Sequence, residues 1–257
     1  MGTRNRDYLK QAHLLTSRTL GMIAIALLAI AGFHFMQAAN AESAVKIPPP
    51  QADMTAGKQE VQETAVFAGG CFWGVQAVFQ HTRGVLNAVS GYAGGQKETA
   101  RYERVTKGNT GHAESVQITF DPKQISYGKL LQIYFSVAHD PTQLNRQYPD
   151  VGTHYRSAIF YKDDAQKQVA EKYIAQLNAE KVFSDRIVTQ LNPLNVFYPA
   201  EAYHQDYATL HPAMPYIAMY DRPKIANLKR MFPEAYRDAP VLVGAQGGRA
   251  GAAKAGN

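Results

Sequence analysis

The sequence predicts an α+β domain in which helices pack against a mixed sheet. Short runs rich in β-branched and aromatic residues, such as the alternating Ser115–Phe120, have the character of strands. Segments with apolar residues at helical spacing lie between these runs. The two kinds of segment are intermingled without a strict strand–helix alternation, which favours a mixed sheet over a parallel, doubly wound one.

Five strands are predicted from β-rich composition and from the Gly, Asp or Pro residues that bound several of the runs. They are Thr64–Ala68, Val85–Ala93, Ser115–Phe120, Ser157–Tyr161 and Ile187–Leu191. The last third of the domain is rich in Tyr, Pro and His, and we expect it to be mostly irregular.

Three helices are predicted, two of them from an N-cap residue followed by apolar periodicity. The first begins at or just after Cys71, where apolar residues recur at helical spacing. Ser126 is a suitable N-cap for the second, which extends through Val137. Asp163 or Asp164 caps the third, which extends through Glu180.

The composition is that of one globular domain with tails. The chain has 257 residues, of which 46% are hydrophobic and 19% are charged. The net charge is +6 and residues 1–41 carry +3 of it, which leaves about +3 for the remainder. So small an excess does not suggest an electrostatic footprint for nucleic acid, and we expect no nucleic-acid partner.

The N-terminus has the order of a secretory signal peptide over residues 1–41. A basic region precedes the apolar run Leu20–Phe33, and the small-x-small site Ala39–Ala41 follows. The run is shorter than the roughly 20 residues that span a membrane. We therefore expect an exported, periplasmic protein. The alternative is an uncleaved anchor that holds the domain on the outer face of the inner membrane.

The remaining chain is expected to comprise three segments. Residues 42–62, which contain Pro48-Pro49-Pro50, are predicted to be an extended linker. The folded domain is predicted over residues 63–238. The Gly- and Ala-rich residues 239–257 are predicted to be a disordered tail.

The candidate reactive group is the thiol of Cys71. Because Cys71 is the only cysteine of the chain, no disulfide within one chain is possible. Cys71 follows Gly69-Gly70 at the predicted start of a helix, where free N–H groups lower the pKa of a thiol. Trp73 falls on the same helix face as Gln76 and Gln80. An aromatic ring beside a thiol can form one wall of a pocket for a small apolar group such as a methyl. The alternative is that Cys71 is a buried small hydrophobe.

Segments along the whole predicted domain resemble the type A peptide-methionine sulfoxide reductases. Gly70–Gly74 (GCFWG) matches that family's active-site signature. Further segments occur in the family's order: Gly91–Gly95, Tyr102–Val105, Gly111–Glu114, His139–Thr142, Leu144–Gln147, Asp150–Thr153, Tyr155–Ser157, Phe197–Glu201 and Tyr203–Gln205. The resemblance covers about residues 63–236.

The resemblance implies a two-layer α+β sandwich with a ferredoxin-like mixed-sheet core and long coil segments. It implies reduction of the S epimer of methionine sulfoxide, free or in oxidised proteins under repair, because the two epimers need different enzymes. Cys71 is then the nucleophile, which becomes a sulfenic acid. Glu114 is the acid that protonates the sulfoxide oxygen, and Tyr102 and Tyr155 are phenols that hydrogen-bond the same oxygen.

Three further roles follow from the same resemblance. Asp150 helps to order water and polar groups, and Phe72 and Trp73 hold the S-methyl group. On the residues alone, the carboxylates and tyrosines have ordinary structural or solvated roles, and Asp150 after Pro149 fits a turn. The spacing His112-x-Glu114 is a weak metal signal, and we expect no metal.

The chain departs from the family in two places. Many members carry resolving cysteines in a Gly-rich tail, whereas the tail here has none. The sulfenic acid must therefore be reduced by an external thiol, from a thioredoxin-like or glutaredoxin-like protein or a small molecule. Tyr148-Pro149 and His154 also differ from the commoner residues around Asp150.

We expect a monomer, and a membrane association only if the signal peptide is uncleaved. A thiol peroxidase and a non-catalytic binding module on the same scaffold are the alternative functions.

Overall fold

The computed structural model describes residues 44–54 and 62–243. The predicted signal peptide, part of the predicted linker and most of the predicted tail lie outside these residues. Within the described ranges, no helix is long and apolar enough to cross a membrane.

The described residues form strands, α-helices and shorter helical turns. The strands are β1 (Glu63–Ala68), β2 (Val85–Ala93), β3 (Ala113–Phe120), β4 (Arg146–Gln147), β5 (Asp150–Val151), β6 (Ala158–Tyr161), β7 (Gln190–Pro193) and β8 (Phe197–Pro199). The α-helices are α1 (Phe72–Gln80), α2 (Tyr102–Val105), α3 (Tyr127–Ile133), α4 (Asp164–Ala179), α5 (Tyr207–Leu210) and α6 (Arg222–Met231). Two π-helical segments are Tyr134–Ala138 and Ile217–Asp221.

The main sheet has the strand order β7-β6-β1-β3-β2-β8. Strand β1 pairs antiparallel with β3 and β6, β2 pairs antiparallel with β3 and β8, and β7 is parallel to β6. The inner strands β6-β1-β3-β2, with α1 after β1 and α3 after β3, have the ferredoxin-like order. This arrangement confirms the predicted α+β fold with a mixed sheet.

Aromatic side chains of β1 and the helices form the centre of the core. Phe67 of β1 is fully buried, and its ring lies 5.7 Å from that of Phe79 and 4.9 Å from that of Tyr134. Helix α1 and the π-helical segment after α3 therefore pack on Phe67 near the end of β1, where Cys71 follows.

Both predicted helix caps are present. The Ser126 hydroxyl accepts a hydrogen bond from the N–H of Lys129 at 3.1 Å and caps α3. The Asp163 carboxylate accepts one from the N–H of Gln166 at 2.8 Å and caps α4. Each cap satisfies a backbone donor that a helix leaves free at its first turn.

Two sequence predictions differ from the structure. The last predicted strand, Ile187–Leu191, begins only at Gln190, because the N–H of Ile187 donates to the Asn178 side chain at 3.0 Å and not to the sheet. The last third is not mostly irregular, since it contains α5, the second π-helical segment and α6. Pro223 near the start of α6 is compatible with a helix there, because the first turn needs no N–H from it.

Residues 44–54, inside the predicted linker, lie against the domain. Ile47 is buried, the Ser136 hydroxyl donates to the carbonyl of Val45 at 2.6 Å, and the Tyr173 hydroxyl donates to that of Pro48 at 2.6 Å. At the other end, the N–H of Val243 donates to the Asp206 carboxylate at 3.1 Å. The chain is thus attached to the domain beyond both ends of the predicted fold.

Candidate active site

Cys71 is the N-cap residue of α1, directly after the two glycines that end β1. Gly70 has φ +88°, and a Cβ there would lie 2.6 Å from the Gln147 side chain. The turn therefore requires glycine. It places the half-buried Cys71 at the start of the helix, as the sequence predicts.

The protonation state of the thiol differs from the sequence prediction. Burial raises the pKa of Cys71 well above its ordinary value, and the negative charges of Glu114 and Asp221 raise it further. The backbone N–H of Trp73 lowers the pKa, which is the helix effect that we expected, but it is the weaker influence. The prediction of a lowered pKa was wrong, because it took no account of the burial of the thiol or of the carboxylates that the fold brings to it.

Glu114 lies on β3, opposite Tyr92 in β2, and is only 2% exposed. Its carboxyl Oε2 accepts a hydrogen bond of 3.1 Å from the N–H of Phe72, the residue after the cysteine. Burial raises the pKa of Glu114 to about 8, although the bond from Phe72 opposes the rise. At neutral pH the group is therefore mostly a neutral carboxylic acid that can donate a proton next to Cys71.

Aromatic rings fix Trp73 beside the thiol. Its ring stacks on that of Tyr207 with centroids 4.0 Å apart, and the edge of Tyr216 lies at 6.1 Å. Its indole N–H donates to Nδ1 of His204 at 3.3 Å. Phe72 is buried and its ring is 5.1 Å from that of His204. Phe72 and Trp73 thus lie together against one histidine.

The face of α1 that carries Gln76 and Gln80 is buried. Both side chains are 1% exposed, because the segment after β8 covers them. Gln76 donates to Gln205 at 2.8 Å and accepts from the N–H of Asp206, while Gln80 donates to the Asp206 carboxylate at 2.6 Å. These bonds fix the segment that carries His204 and Tyr207.

The two predicted phenols lie within the electrostatic reach of Glu114. Burial raises the pKa of Tyr102, and the negative charges of Glu114 and Cys71 raise it further. Burial likewise raises the pKa of Tyr155, followed by the charges of Glu114, Asp150 and Cys71. Both phenols therefore keep their protons and are available as hydrogen-bond donors.

Asp150 accepts a short hydrogen bond from the hydroxyl of Tyr216. Burial raises the pKa of Asp150, and the bond from Tyr216 and the charge of Lys224 oppose the rise. The fold thus brings all seven predicted residues into one region. The sequence reasoning missed Tyr207 and Tyr216, which lie in the segment that it expected to be irregular.

The histidines have hydrogen-bonding roles in the structure. His112 contacts the carbonyl of Gln96 at 3.0 Å, and His139 is buried between the Tyr134 carbonyl at 3.1 Å and the Ser157 hydroxyl at 2.7 Å. Within residues 44–54 and 62–243, no cluster of three or more His, Cys, Asp or Glu side chains is arranged to hold a metal ion.

Comparisons with known proteins show the family of the chain. The family model described as peptide methionine sulfoxide reductase matches residues 63–236. The peptide methionine sulfoxide reductase MsrA 2 of Mesorhizobium japonicum is 61% identical over 181 residues, which cover 70% of this chain and 93% of that protein. MsrA 2 of Synechocystis sp. is 50% identical over 190 residues, which cover 73% of this chain and 89% of that protein.

A solved structure has the same fold. Reduced Mxr1 from Saccharomyces cerevisiae superposes with a TM-score of 0.55 and 31% identity, over 62% of this chain and 91% of that one. The site and these similarities make the protein an oxidoreductase that reduces methionine sulfoxide, and the chain belongs to the peptide methionine sulfoxide reductase family.

Proposed function

We propose that Cys71 attacks the sulfur of the S epimer of methionine sulfoxide while Glu114 supplies a proton to the sulfoxide oxygen. The observation that carries this assignment is the buried, mostly neutral carboxyl of Glu114, bonded to the backbone N–H next to the thiol. A sulfoxide oxygen is a poor leaving group until it is protonated. A neutral acid at this position meets that need.

The surrounding residues have supporting roles in the proposal. Phe72 and Trp73 hold the S-methyl group, and the rings that fix Trp73 keep this pocket preorganised. Tyr102 and Tyr155 donate hydrogen bonds to the sulfoxide oxygen. Asp150 orders polar groups and water at the site.

The chemistry balances with the thiol and the sulfoxide alone. The thiol sulfur takes the oxygen, the S–O bond of the substrate breaks, and the products are methionine and a Cys71 sulfenic acid. Because Cys71 is the only cysteine, an external thiol must then form a mixed disulfide with it and release water. A second external thiol restores the Cys71 thiol and leaves as a disulfide with the first.

The reductant is proposed by chemical class. A thioredoxin-like or glutaredoxin-like protein, or a small thiol, meets the need for two external thiol equivalents. We further propose that the protein works as a monomer in the periplasm, on oxidised envelope proteins. The signal-like order of residues 1–41 supports the location, and an uncleaved anchor remains its alternative.

A single-turnover experiment without a reductant tests the proposal. The full chain, with Cys71 reduced, is mixed anaerobically with excess methionine sulfoxide, and methionine is measured by chromatography. We expect one equivalent of methionine per chain and a sulfenic acid on Cys71, detected by mass spectrometry as a dimedone adduct. Cys71→Ser should form none. Methionine formation by that variant would exclude Cys71 as the nucleophile.

A further inference from the structure

A buried ion pair lies close to Cys71 and has no role in the chemistry described above. Asp221 ends the second π-helical segment and is 0% exposed, and Lys224 of α6 is 5% exposed. The Lys224 Nζ lies 3.8 Å from the Asp221 Oδ1. Burying two charges costs solvation free energy that their attraction often fails to recover. Stability alone is therefore a weak reason for the pair to be there.

The pair is placed at the first turn of α1. A Cβ on Gly74 would lie 2.1 Å from the Asp221 Oδ1, so only glycine leaves room for this carboxylate. Gly74 is three residues after Cys71, on the turn whose free N–H groups face the thiol. Asp221 thus brings a negative charge to the start of the helix that carries the nucleophile.

The titratable groups around Cys71 come from several elements. They are Glu114 of β3, Asp150 of β5, Tyr102 of α2, Tyr155, Tyr216, His139, His204, Asp221 and Lys224. Burial raises the pKa of the three tyrosines and lowers that of the two histidines, so these groups are neutral near pH 7. Glu114 is mostly protonated at pH 7, since its pKa is about 8, and it ionises above that pH. Among these groups, the other carboxyl groups are Asp150 and Asp221, and the one ammonium group is that of Lys224.

Lys224 acts on more than its ion-pair partner. Its positive charge lowers the pKa of Asp150 and that of His139. A Cβ added at Gly69, two residues before the nucleophile, would lie 3.0 Å from the side chain of His139. The ammonium therefore acts on both carboxylates and on a histidine packed at the turn that holds Cys71.

We propose that Lys224 is a positioning residue that offsets the negative charge of Asp221, so that the thiolate of Cys71 forms against one carboxylate charge fewer. This inference rests on the proposed role of Cys71 as the nucleophile. Lys224 does not touch the substrate and acts through the charge of Asp221.

Labelling of Cys71 with iodoacetamide tests this role directly. The chain has no other cysteine, so mass spectrometry of the full chain measures this thiol alone. The labelling rate is measured from pH 6 to 11. For Lys224→Met we expect the midpoint to rise by about one pH unit, which is about tenfold slower labelling at a fixed pH below it. Lys224→Arg keeps the charge and should restore the midpoint.

Asp221 must be ionised in the pH range of the measurement for this comparison to hold. The Cys71 pKa is well above its ordinary value, so its midpoint falls at alkaline pH. The two groups of the ion pair, 3.8 Å apart, each favour the charged form of the other.

A matched control lies on the same helix. Lys229 of α6 has a side chain that is 60% exposed and pairs with Asp238 at 2.9 Å. Lys229→Met removes the same charge from the same helix at an exposed position, and the midpoint should not move. Asp221→Asn should shift the midpoint downward, opposite to Lys224→Met.

The double variant keeps the test decisive if Lys224→Met does not fold, as judged by near-UV circular dichroism. Asp221→Asn and Asp221→Asn/Lys224→Met differ only in the charge of Lys224, and the double variant must have the higher midpoint. Equal midpoints in either comparison would overturn the proposal. Labelling needs no turnover, so the absence of methionine formation by the parent protein would reveal a failure of the reductase mechanism separately.

Discussion

Replacing Glu114 with Gln removes a proton donor and keeps the size of the side chain. At pH 7, a carboxyl with a pKa of about 8 is about 90% protonated, so the parent site is largely in its active form. Gln keeps a neutral polar group next to the N–H of Phe72 but cannot transfer a proton. We expect the rate of sulfoxide reduction to fall by roughly a hundred to ten thousand fold, the usual contribution of a general acid. That loss corresponds to about 3 to 5 kcal/mol of transition-state stabilisation.

The pH dependence gives this prediction its sign. Above about pH 8, Glu114 loses its proton, and the ratio of the parent rate to the Glu114→Gln rate should fall about tenfold per pH unit. Ionisation of Cys71 raises both rates with pH, so this ratio, and not the parent rate alone, reports the acid. Single-turnover methionine formation, followed by rapid quench from pH 6 to 10, measures both proteins. A ratio near one at pH 7, or a ratio that stays constant from pH 7 to 10, would refute the assignment of Glu114 as the acid.

Further predictions concern stability and the geometry of the site. Because burial raises the pKa of Glu114, its contribution to stability is complete below its ordinary pKa and is lost as the pH rises through about 8. Urea titrations at pH 9 should therefore show that Glu114→Gln has a larger free energy of unfolding than the parent protein. Equal free energies of unfolding at pH 9 would contradict this. Tyr216→Phe removes the hydroxyl that donates to Asp150. We expect kcat/KM to fall about tenfold, which is the free-energy contribution of a hydrogen bond to a charged group. An unchanged kcat/KM would exclude this contact from function. Gly70→Ala should lower the free energy of unfolding by more than Gly108→Ala does. Both glycines have positive φ, but of these two only Gly70 has a side chain as close as 2.6 Å to the position of an added Cβ. Equal losses would mean that the contact is relieved without cost.

Local signals in the sequence predicted the elements that depend on local chemistry. The caps at Ser126 and Asp163 are hydrogen bonds within one turn, and Val85–Ala93 is a strand with the predicted ends. Ile187 was wrongly included in a strand, because its backbone bonds to the end of α4, a contact that no local pattern encodes. The connectivity of the sheet came from the family resemblance and not from periodicity.

The candidate site was predicted residue by residue from the same resemblance, but its electrostatics were not. The helix start at Cys71 is a local feature, and it alone indicated a lowered thiol pKa. Burial of the thiol and the charge of Glu114 reverse the sign. Asp221, 150 positions further along the chain, adds to the rise because α6 and the π-helical segment before it pack on α1. Tyr216 was missed for the same reason, since only the folded chain brings it to Trp73 and Asp150.

The central claim is that this protein reduces one epimer of methionine sulfoxide through Cys71. The most direct measurement is anaerobic turnover of the two separated epimers by the full chain, with excess dithiol and chromatographic detection of methionine. We predict conversion of the S epimer and no conversion of the R epimer. Equal conversion of both epimers, or no conversion of either one with Cys71 verified as reduced, would contradict the account.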